Sequence, residues 1–495
     1  MVCTFLSVAG SIPRGGKMTK GTAQVDVLCA RKLQSPRHPH NPMRALEARK
    51  DLTSGSLAKS IWHLAVPLVV QGALMDVFNL VDMIFVGRLG ASAIAAVSIG
   101  GVLMGLIRML AMGISTGTVA LVSRFVGQKN HEAARDVVGQ SLVLSVACSV
   151  VVAVLGWIFP EPVLRLLGAA DDVIPQGVAY LRVVCVGSIT MFLTLTLSAG
   201  MRGFGDAVTP MWALGVASLL NVGLDPLLIF GWGPFPRWEV AGSAIATVIS
   251  RAAGAGILLA ALMGRRRDGR PSGLRVLPRP DGERYFARIM RIGSFSALRM
   301  LSMNLSRLFL ISIVAVFGTF AVAAFGIGLR VRIFVMVLGF GLADATAVVV
   351  GQNLGAGKPE RAERSAWLSV GYLGAVVVLL SAVFLALPRV VVGLFNTDPD
   401  VLDMGSRYLR FFVPALFALN FAIVLARAIE GAGDTLPTMI ITAVCLIAVG
   451  IPLAWWFSRL WGTDGVWAAI MTADILQGLG TTFVFRLGRW KQKRV

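Results

Sequence analysis

The sequence predicts an all-α polytopic membrane protein, with twelve transmembrane helices in two six-helix lobes related by a pseudo-twofold axis along the membrane normal. Three observations lead to this fold class. The 495 residues are 56% hydrophobic and only 15% charged, whereas a soluble protein carries about 25% charged residues. Apolar runs of about 20 residues recur along the chain. The two halves of the chain also repeat each other.

The apolar runs are long enough to cross about 30 Å of hydrocarbon as helices. We number them as spans 1 to 12, in chain order: 61–86, 96–122, 136–159, 177–200, 208–231, 240–263, 290–317, 320–350, 366–388, 402–428, 436–458 and 465–486.

The composition between the spans divides the chain further. Residues 1–51 are polar, basic and rich in Pro, Gly and Ser, which predicts a disordered extension. The N-lobe is predicted over 52–263 and the C-lobe over 290–486. A basic cytoplasmic linker over 264–289 joins them, and 487–495 form a basic cytoplasmic tail.

The repeat has a single offset of 228 residues. "RFVGQKNHEAA" at 124–134 falls on "QNLGAGKPERA" at 352–362, and "GFGD" at 203–206 falls on "GAGD" at 431–434. Six spans per repeat give both halves the same orientation in the membrane, which requires an axis along the membrane normal. Two such lobes suit alternating access to a substrate held between them.

The net charge of +20 is the excess of 46 Lys and Arg residues over 26 Asp and Glu residues, and most of the basic residues lie in the tails and in alternate loops. This bias orients the protein with both termini in the cytoplasm and favours contact with anionic lipid. We expect a multi-pass protein of the plasma (inner) membrane that binds no nucleic acid.

Carboxylates inside the spans are the candidates for function, because a charge at the bilayer centre costs about 2.5–3.5 kcal/mol unless it finds a partner. No glutamate is expected deep in a span. The five aspartates are Asp76, Asp82, Asp225, Asp344 and Asp474.

The stretch "SLLNVGLDPLLIFGW" at 218–232 carries Asn221 and Asp225 on one helix face, followed by Pro226. The proline frees a carbonyl, so this face offers hard oxygen ligands for Na⁺ or a proton. A helix kink with Asp225 capped by Asn221 is the alternative. Asn79 precedes Asp82 on one face of span 1, whereas Asp76 lies about 120° away.

Other polar positions carry weaker signals. Ser243 and Thr247 lie one turn apart in span 6, although such residues often bond to their own helix. Four arginines crowd spans 7 and 8, and they form either a basic cavity for anionic ligands or internal ion pairs with Asp344, Asp474 or Asp76. These four are Arg299, Arg307, Arg330 and Arg332.

Glycine motifs predict turns and close helix contacts. In "GFGD" and "GAGD" the aspartates Asp206 and Asp434 can cap the helix that follows. "GVLMG" at 101–105 and "GISTG" at 113–117 are GxxxG patterns for helix packing.

Several motifs together resemble the multidrug and toxic compound extrusion (MATE) family over residues 52–486. They include "NLVDMIFVGRLG", "GMRGFGDAVTPM", "LNVGLDPLLIFGWG", "AGSAIATVIS", "GQNLGAGKPERAER" and "EGAGDTLPTM". "LNVGLDPLLIFG" is most similar to the DinF-type bacterial and archaeal branch.

The resemblance implies a V-shaped exporter of organic compounds that exchanges them for Na⁺ or H⁺. It implies coupling by Asp82, Asn221, Asp225, Thr247 and Ser243, with Na⁺ at Asn221, Asp225 and Thr247. The sequence departs from the branch at Met75 and Phe78, where Gln and Tyr are usual, and in the extra Asp76 and Asp344. Span 7 has no acid. The usual preference for cationic substrates is therefore in doubt, and coupling should be confined to the N-lobe.

We therefore expect a monomeric antiporter of small organic substrates, with no cofactor other than Na⁺ or H⁺ as the coupling ion. Pro67 and Pro226 would let spans 1 and 5 bend. The candidate substrate-cavity residues are Asn79, Asp76, Phe78, Met75, Arg299 and Arg307.

Two alternatives remain. A flippase for a lipid-linked or anionic amphipathic substrate is favoured by the arginines but opposed by twelve spans, since the best-known flippases have fourteen. A membrane enzyme lacks a catalytic motif, because "HEAAR" at 131–135 is not HExxH.

Overall fold

The computed structural model describes residues 52–264 and 285–493, and its regular secondary structure over these residues is helical. The predicted extension over 1–51 and most of the predicted linker lie outside the described residues. The helices are Leu57–Gly87, Ala91–Gly127, His131–Ile158, Pro160–Leu166, Ile174–Val186, Ser188–Gly203, Val208–Phe230, Glu239–Met263, Phe286–Ala315, Thr319–Gly355, Pro359–Ala386, Pro388–Gly393, Pro399–Gly431, Thr435–Ala443 and Ile451–Arg486, with a π-helix at Val444–Gly450 and a 3₁₀ turn at Arg489–Gln492.

Ten of the described helical segments are long and apolar enough to cross a membrane, and an eleventh is the pair Ile174–Val186 and Ser188–Gly203, bent by 41°. The segment Thr435–Arg486 has 52 residues and would be about 78 Å long as one helix, too long for one crossing.

This last segment reverses direction. Its helix breaks at Trp461 and at Gly462, whose φ of 60° lies in the left-handed region. Beyond the break, Gln477 Nε2 donates to Thr442 Oγ1 at 3.1 Å, so the two parts pack side by side. The segment therefore holds spans 11 and 12, and the predicted twelve-helix fold class is confirmed.

The predicted repeat also appears in the contacts. Thr118 donates to Ser141 at 2.8 Å in the N-lobe, and Thr346 donates to Ser369 at 2.6 Å in the C-lobe, with both residues shifted by 228. Likewise Gly100 packs on the ring of Tyr180, and its equivalent Gly328 packs on Tyr408. The two lobes thus repeat the same internal packing.

The lobes meet where glycines remove side chains. A Cβ on Gly113 of span 2 would lie 2.6 Å from the carbonyl oxygen of Gly293 in span 7, and a Cβ on Gly117 would lie 2.7 Å from that of Ile289. The GxxxG prediction for 113–117 is therefore confirmed. It is wrong for Gly101 and Gly105, which have no such neighbour within 4 Å, because a GxxxG pattern does not specify which helix faces it.

The two predicted capping aspartates differ. The Asp206 carboxylate accepts hydrogen bonds from the backbone N–H groups of Val208 and Thr209, as predicted. Asp434 makes no capping bond and instead forms an ion pair with Lys493 at 3.0 Å. The C-terminal segment provides this competing partner, which the sequence of the turn does not reveal.

The polypeptide after span 12 packs against the helices. Trp490 is buried and stacks on Phe485, with the ring centroids 4.7 Å apart. Lys491 forms an ion pair with Glu363 of the helix Pro359–Ala386, and the Lys493 carbonyl accepts a hydrogen bond from Arg124 of the helix Ala91–Gly127. The described part of the tail therefore connects both lobes at one end of the bundle.

Candidate functional site

Asn221 and Asp225 project from one face of span 5, and both are 0% exposed. In the amide orientation that satisfies both groups, Asn221 Nδ2 donates to Asp225 Oδ2 at 3.0 Å, and Oδ1 accepts from the backbone N–H of Thr247 at 3.3 Å. A buried carboxylate and amide are thus joined to span 6. The helix continues through Pro226 to Phe230.

Asp82 approaches the same region from span 1. Its Oδ1 accepts a hydrogen bond from Ser243 Oγ of span 6 at 2.6 Å. Asp225 interacts electrostatically with Asp82, so spans 1, 5 and 6 bring two carboxylates together. The five residues predicted for coupling therefore lie in one cluster of the N-lobe.

A cationic group that the sequence analysis did not assign to the site lies beside this cluster. Arg251 of span 6 interacts electrostatically with Asp82 and with Tyr180. It follows Thr247 by one helical turn, so helical spacing could have identified it. Arg108 of span 2 interacts electrostatically with Arg251, so two arginines lie near the carboxylates.

The donor set is composed of oxygen atoms. Two carboxylates, an amide oxygen and two hydroxyl groups are hard ligands that suit Na⁺, and the carboxylates also accept a proton. Among the described residues there is no group of three or more His, Cys, Asp or Glu side chains that could hold a metal ion. The chemistry therefore fits a monovalent ion or a proton better than a transition metal.

The predicted substrate-cavity residues are not all brought together. Asp76 and Asn79 are exposed, Phe78 is buried and Met75 is half-buried. Asp76 interacts electrostatically with Arg108 of span 2. In span 7, Arg299 is buried in an ion pair, whereas Arg307 lines an open cavity of the C-lobe. The set is thus divided between two lobes.

A second polar cluster joins the lobes. Asp344 of span 8 pairs with Arg202, two residues beyond span 4, at 3.3 Å and with Arg427 at 2.8 Å. Arg427 also pairs with Glu430 at 2.9 Å, and Glu430 pairs with Arg299 at 2.7 Å. This inter-lobe ion cluster borders a cavity between spans 2, 4, 8 and 10, whose empty volume is about 590 Å³ including the part that is open to the outside.

Glu430 is 1% exposed and lies two residues beyond predicted span 10, near the end of the helix Pro399–Gly431. The predicted span 10 ends at residue 428 because the apolar run ends there. Two arginines, Arg299 and Arg427, neutralise this glutamate.

The expected ion pairs of the crowded arginines are present in part. Arg332 binds Asp474 through two hydrogen bonds of 2.6 and 2.8 Å. Asp344 instead pairs with Arg202 and Arg427. Sequence spacing could not choose these partners, because they come from distant spans.

The chain is similar to known proteins in both sequence and structure. The MatE family model matches residues 67–227 and 296–456, one segment in each lobe. The chain is 28% identical over 440 residues to an FAD transporter of Shewanella oneidensis, covering 89% of this chain and 96% of that protein. It is 30% identical over 448 residues to the Bacillus subtilis protein described as "Probable multidrug resistance protein YoeA", covering 88% of this chain and 96% of that protein.

A solved structure shares the architecture. It is the outward-facing conformation of a multidrug resistance MATE family transporter of the MOP superfamily, and it is 25% identical to this chain. The match covers 89% of this chain and 98% of that chain, with a TM-score of 0.80. The repeat, the twelve spans and the family model therefore point to the same fold.

Proposed function

Because the chain belongs to the MatE family of membrane transporters, we propose that it is a secondary active antiporter that exports organic, drug-like compounds in exchange for Na⁺ or H⁺. The observation that supports this most directly is the buried oxygen cluster of Asp82, Asn221, Asp225, Ser243 and Thr247 in the N-lobe. We also place the chain in the DinF-type branch on the basis of "LNVGLDPLLIFG".

In the proposed cycle, Asp225 and Asp82 take up one Na⁺ or proton from outside. Two neighbouring carboxylates repel each other in a site largely removed from water, so the added charge stabilises the cluster. Asn221 and Ser243 fix the two carboxylates in position. Loading and substrate binding then compete within one lobe, and this competition couples the two fluxes. A gradient of about 100 mV supplies about 2.3 kcal/mol per charge.

Several further properties belong to the same proposal. The protein is a monomer of the plasma (inner) membrane with both termini in the cytoplasm. The N-lobe comprises 52–263 and the C-lobe 290–486. The chain has no catalytic activity, and Na⁺ or H⁺ serves as the coupling ion without another cofactor.

Transport of an anionic amphipathic substrate, including flipping of a lipid-linked one, is the second candidate function. A free arginine in the C-lobe cavity favours it, since Arg307 forms no ion pair with any described residue. The FAD transporter among the relatives is a second observation in its favour.

The experiment is dye transport by the purified protein in liposomes, with Na⁺ and pH gradients imposed separately. Rhodamine 6G and carboxyfluorescein are suitable dyes, because they share a xanthene ring and differ in charge. We expect gradient-driven movement of at least one dye, and loss of that movement in Asp225→Asn. Asp172→Asn is the matched control, since Asp172 is exposed outside the spans. Full gradient-driven transport by Asp225→Asn would sink the assignment.

A further inference from the structure

The C-lobe contains a cavity that the proposed coupling site does not use. It has an empty volume of about 860 Å³, including the part that is open to the outside, and lies between spans 7, 8, 10, 11 and 12. Its walls are mainly apolar, and its charged side chains are Arg307, Arg332 and Asp474.

The internal repeat shows where this cavity lies. With the offset of 228, Asp82 corresponds to Leu310 and Asn79 corresponds to Arg307, and both C-lobe residues line the cavity. The cavity is therefore the C-lobe counterpart of the region around Asp82.

The charge of the two regions is opposite. Asp225 corresponds to Leu453, so both acids of the N-lobe cluster become leucines while an asparagine becomes an arginine. A cation that binds two carboxylates has no equivalent ligands here.

The remaining acid of the cavity is already neutralised. Asp474 is 1% exposed and is held by Arg332 through both carboxylate oxygens. A bidentate pair of this kind is among the stronger charged hydrogen-bond arrangements. Arg307 is exposed and forms no ion pair with any described residue. The net charge of the cavity is therefore positive, and Arg307 is the group available to a ligand.

An unusual backbone segment borders the same cavity. The π-helix Val444–Gly450 contributes Leu446 and Gly450 to its wall, and π-helical segments are rare and often occur at functional sites. The Leu446 carbonyl accepts a hydrogen bond from Ser306 Oγ at 3.2 Å. The wall is thus fixed to span 7 one residue before Arg307.

We propose that this cavity binds an amphipathic organic anion, with Arg307 pairing with its carboxylate, sulfonate or phosphate group. The flat apolar part of the ligand would lie against Phe325, Leu310 and Met336, which line the cavity. Arginine suits this role because its planar guanidinium binds two oxygen atoms at once. That the bound anion is also the exported substrate rests on the proposed transport function.

Binding and transport are measured separately to test this. Binding of carboxyfluorescein to the purified protein is followed by fluorescence anisotropy, with rhodamine 6G as the cation of matched shape. We expect Arg307→Gln to weaken carboxyfluorescein binding at least tenfold, Arg307→Lys to weaken it less, and neither to change rhodamine 6G binding. Arg330→Gln is the control, because Arg330 is an exposed arginine of span 8 that does not line the cavity.

The outcomes are distinguishable. Equal effects of Arg307→Gln on both dyes, or no effect on carboxyfluorescein, would overturn the assignment of the cavity. If neither dye crosses the membrane under a gradient while binding still depends on Arg307, the transport function fails and the anion site stands. Nanodiscs with and without phosphatidylglycerol identify the source of the anion. If phosphatidylglycerol weakens carboxyfluorescein binding to the wild type but not to Arg307→Gln, the natural anion is a lipid headgroup. If the lipid has no effect on carboxyfluorescein binding, the natural anion is a soluble compound. Both results support an anion site.

Discussion

Arg202 Nη1, at the end of span 4, lies 3.3 Å from Asp344 Oδ2 of span 8, and this ion pair joins the two lobes. Asp344 uses its other oxygen for Arg427, which in turn pairs with Glu430. Near the same end of the bundle, Gln352 Nε2 of the helix Thr319–Gly355 donates to the Gly203 carbonyl of the helix Ser188–Gly203 at 2.9 Å. Polar contacts therefore hold the lobes together at one end, and alternating access requires that these contacts break.

The first prediction concerns Asp344→Asn. The change leaves two arginines without their shared carboxylate, and removing one partner of a buried pair costs about 3–5 kcal/mol. Because Asp344 is partly exposed, we expect about 1–3 kcal/mol here, enough to shift the balance between closed and open lobes by about five- to 150-fold.

Double electron–electron resonance between two spin labels measures this shift. The labels are placed on Gln128 and Glu360, two exposed residues at this end of the two lobes. The population with separated labels should increase in Asp344→Asn. Asp403→Asn should not increase it, because Asp403 pairs with Arg407 within one lobe. An unchanged distance distribution in Asp344→Asn would contradict a holding role for the ion pair.

The second prediction concerns Ser243→Ala. It removes the 2.6 Å hydrogen bond to Asp82 and leaves the carboxylate without its donor, at a cost of about 1–3 kcal/mol. The donated hydrogen bond stabilises the charged carboxylate, so its loss favours protonation, and we expect a five- to hundredfold fall, roughly, in the H⁺ concentration that gives half-maximal transport.

Ser250→Ala provides the control, since Ser250 is buried in the same helix and its hydroxyl has no hydrogen-bond partner among the described residues. Initial transport rates against ion concentration separate the two variants. Equal ion dependence of Ser243→Ala and wild type would show that Ser243 does not position Asp82.

Only part of the N-lobe cluster can be predicted from the sequence. The contact between Asn221 and Asp225 is predictable because the two residues lie four positions apart on one helix. The contact between Asp82 and Ser243 joins residues 161 positions apart. Residue spacing within one helix shows which side chains share a face, but it does not show which other helix that face contacts. The resemblance to the family indicates that Asp82 and Ser243 belong to one site.

The inter-lobe ion cluster could not be predicted in the same way. Arg202 lies beyond the apolar run of span 4, and Glu430 lies beyond that of span 10, so hydropathy assigned both to span ends. Their burial depends on partners from other spans, such as Asp344 and Arg299. Hydropathy reports the average polarity of a segment, whereas tertiary pairing decides which charges are buried.

The third prediction concerns the buried pair of Arg332 and Asp474. Replacing Asp474 by Asn removes a carboxylate that binds Arg332 at 2.6 and 2.8 Å, at a cost of about 3–5 kcal/mol because an uncompensated charge stays buried. Thermal unfolding in detergent, followed by tryptophan fluorescence, should show a clear decrease in the melting temperature.

The double variant Arg332→Met with Asp474→Leu tests the cause of that loss. Apolar residues of similar volume often replace a buried pair without loss of stability, so the double variant should be more stable than Asp474→Asn. If the double variant is less stable than the single one, the loss is due to packing rather than to an unpaired charge.

The fourth prediction compares two glycines of span 2 under the same substitution. A Cβ on Gly113 would lie 2.6 Å from the carbonyl oxygen of Gly293 in the other lobe, too close for a real contact, whereas a Cβ on Gly105 meets nothing within 4 Å. Gly113→Ala should therefore push spans 2 and 7 apart and favour separated lobes in the spin-label measurement. Gly105→Ala should leave the lobes closed and raise stability by about 0.5–1 kcal/mol, because alanine is the better helix former.

Both variants add the same methyl group to the same helix. A difference between them therefore reports the neighbouring residues that the methyl group meets. A matching response of the two variants would therefore mean that the contact between Gly113 and Gly293 does not control closure.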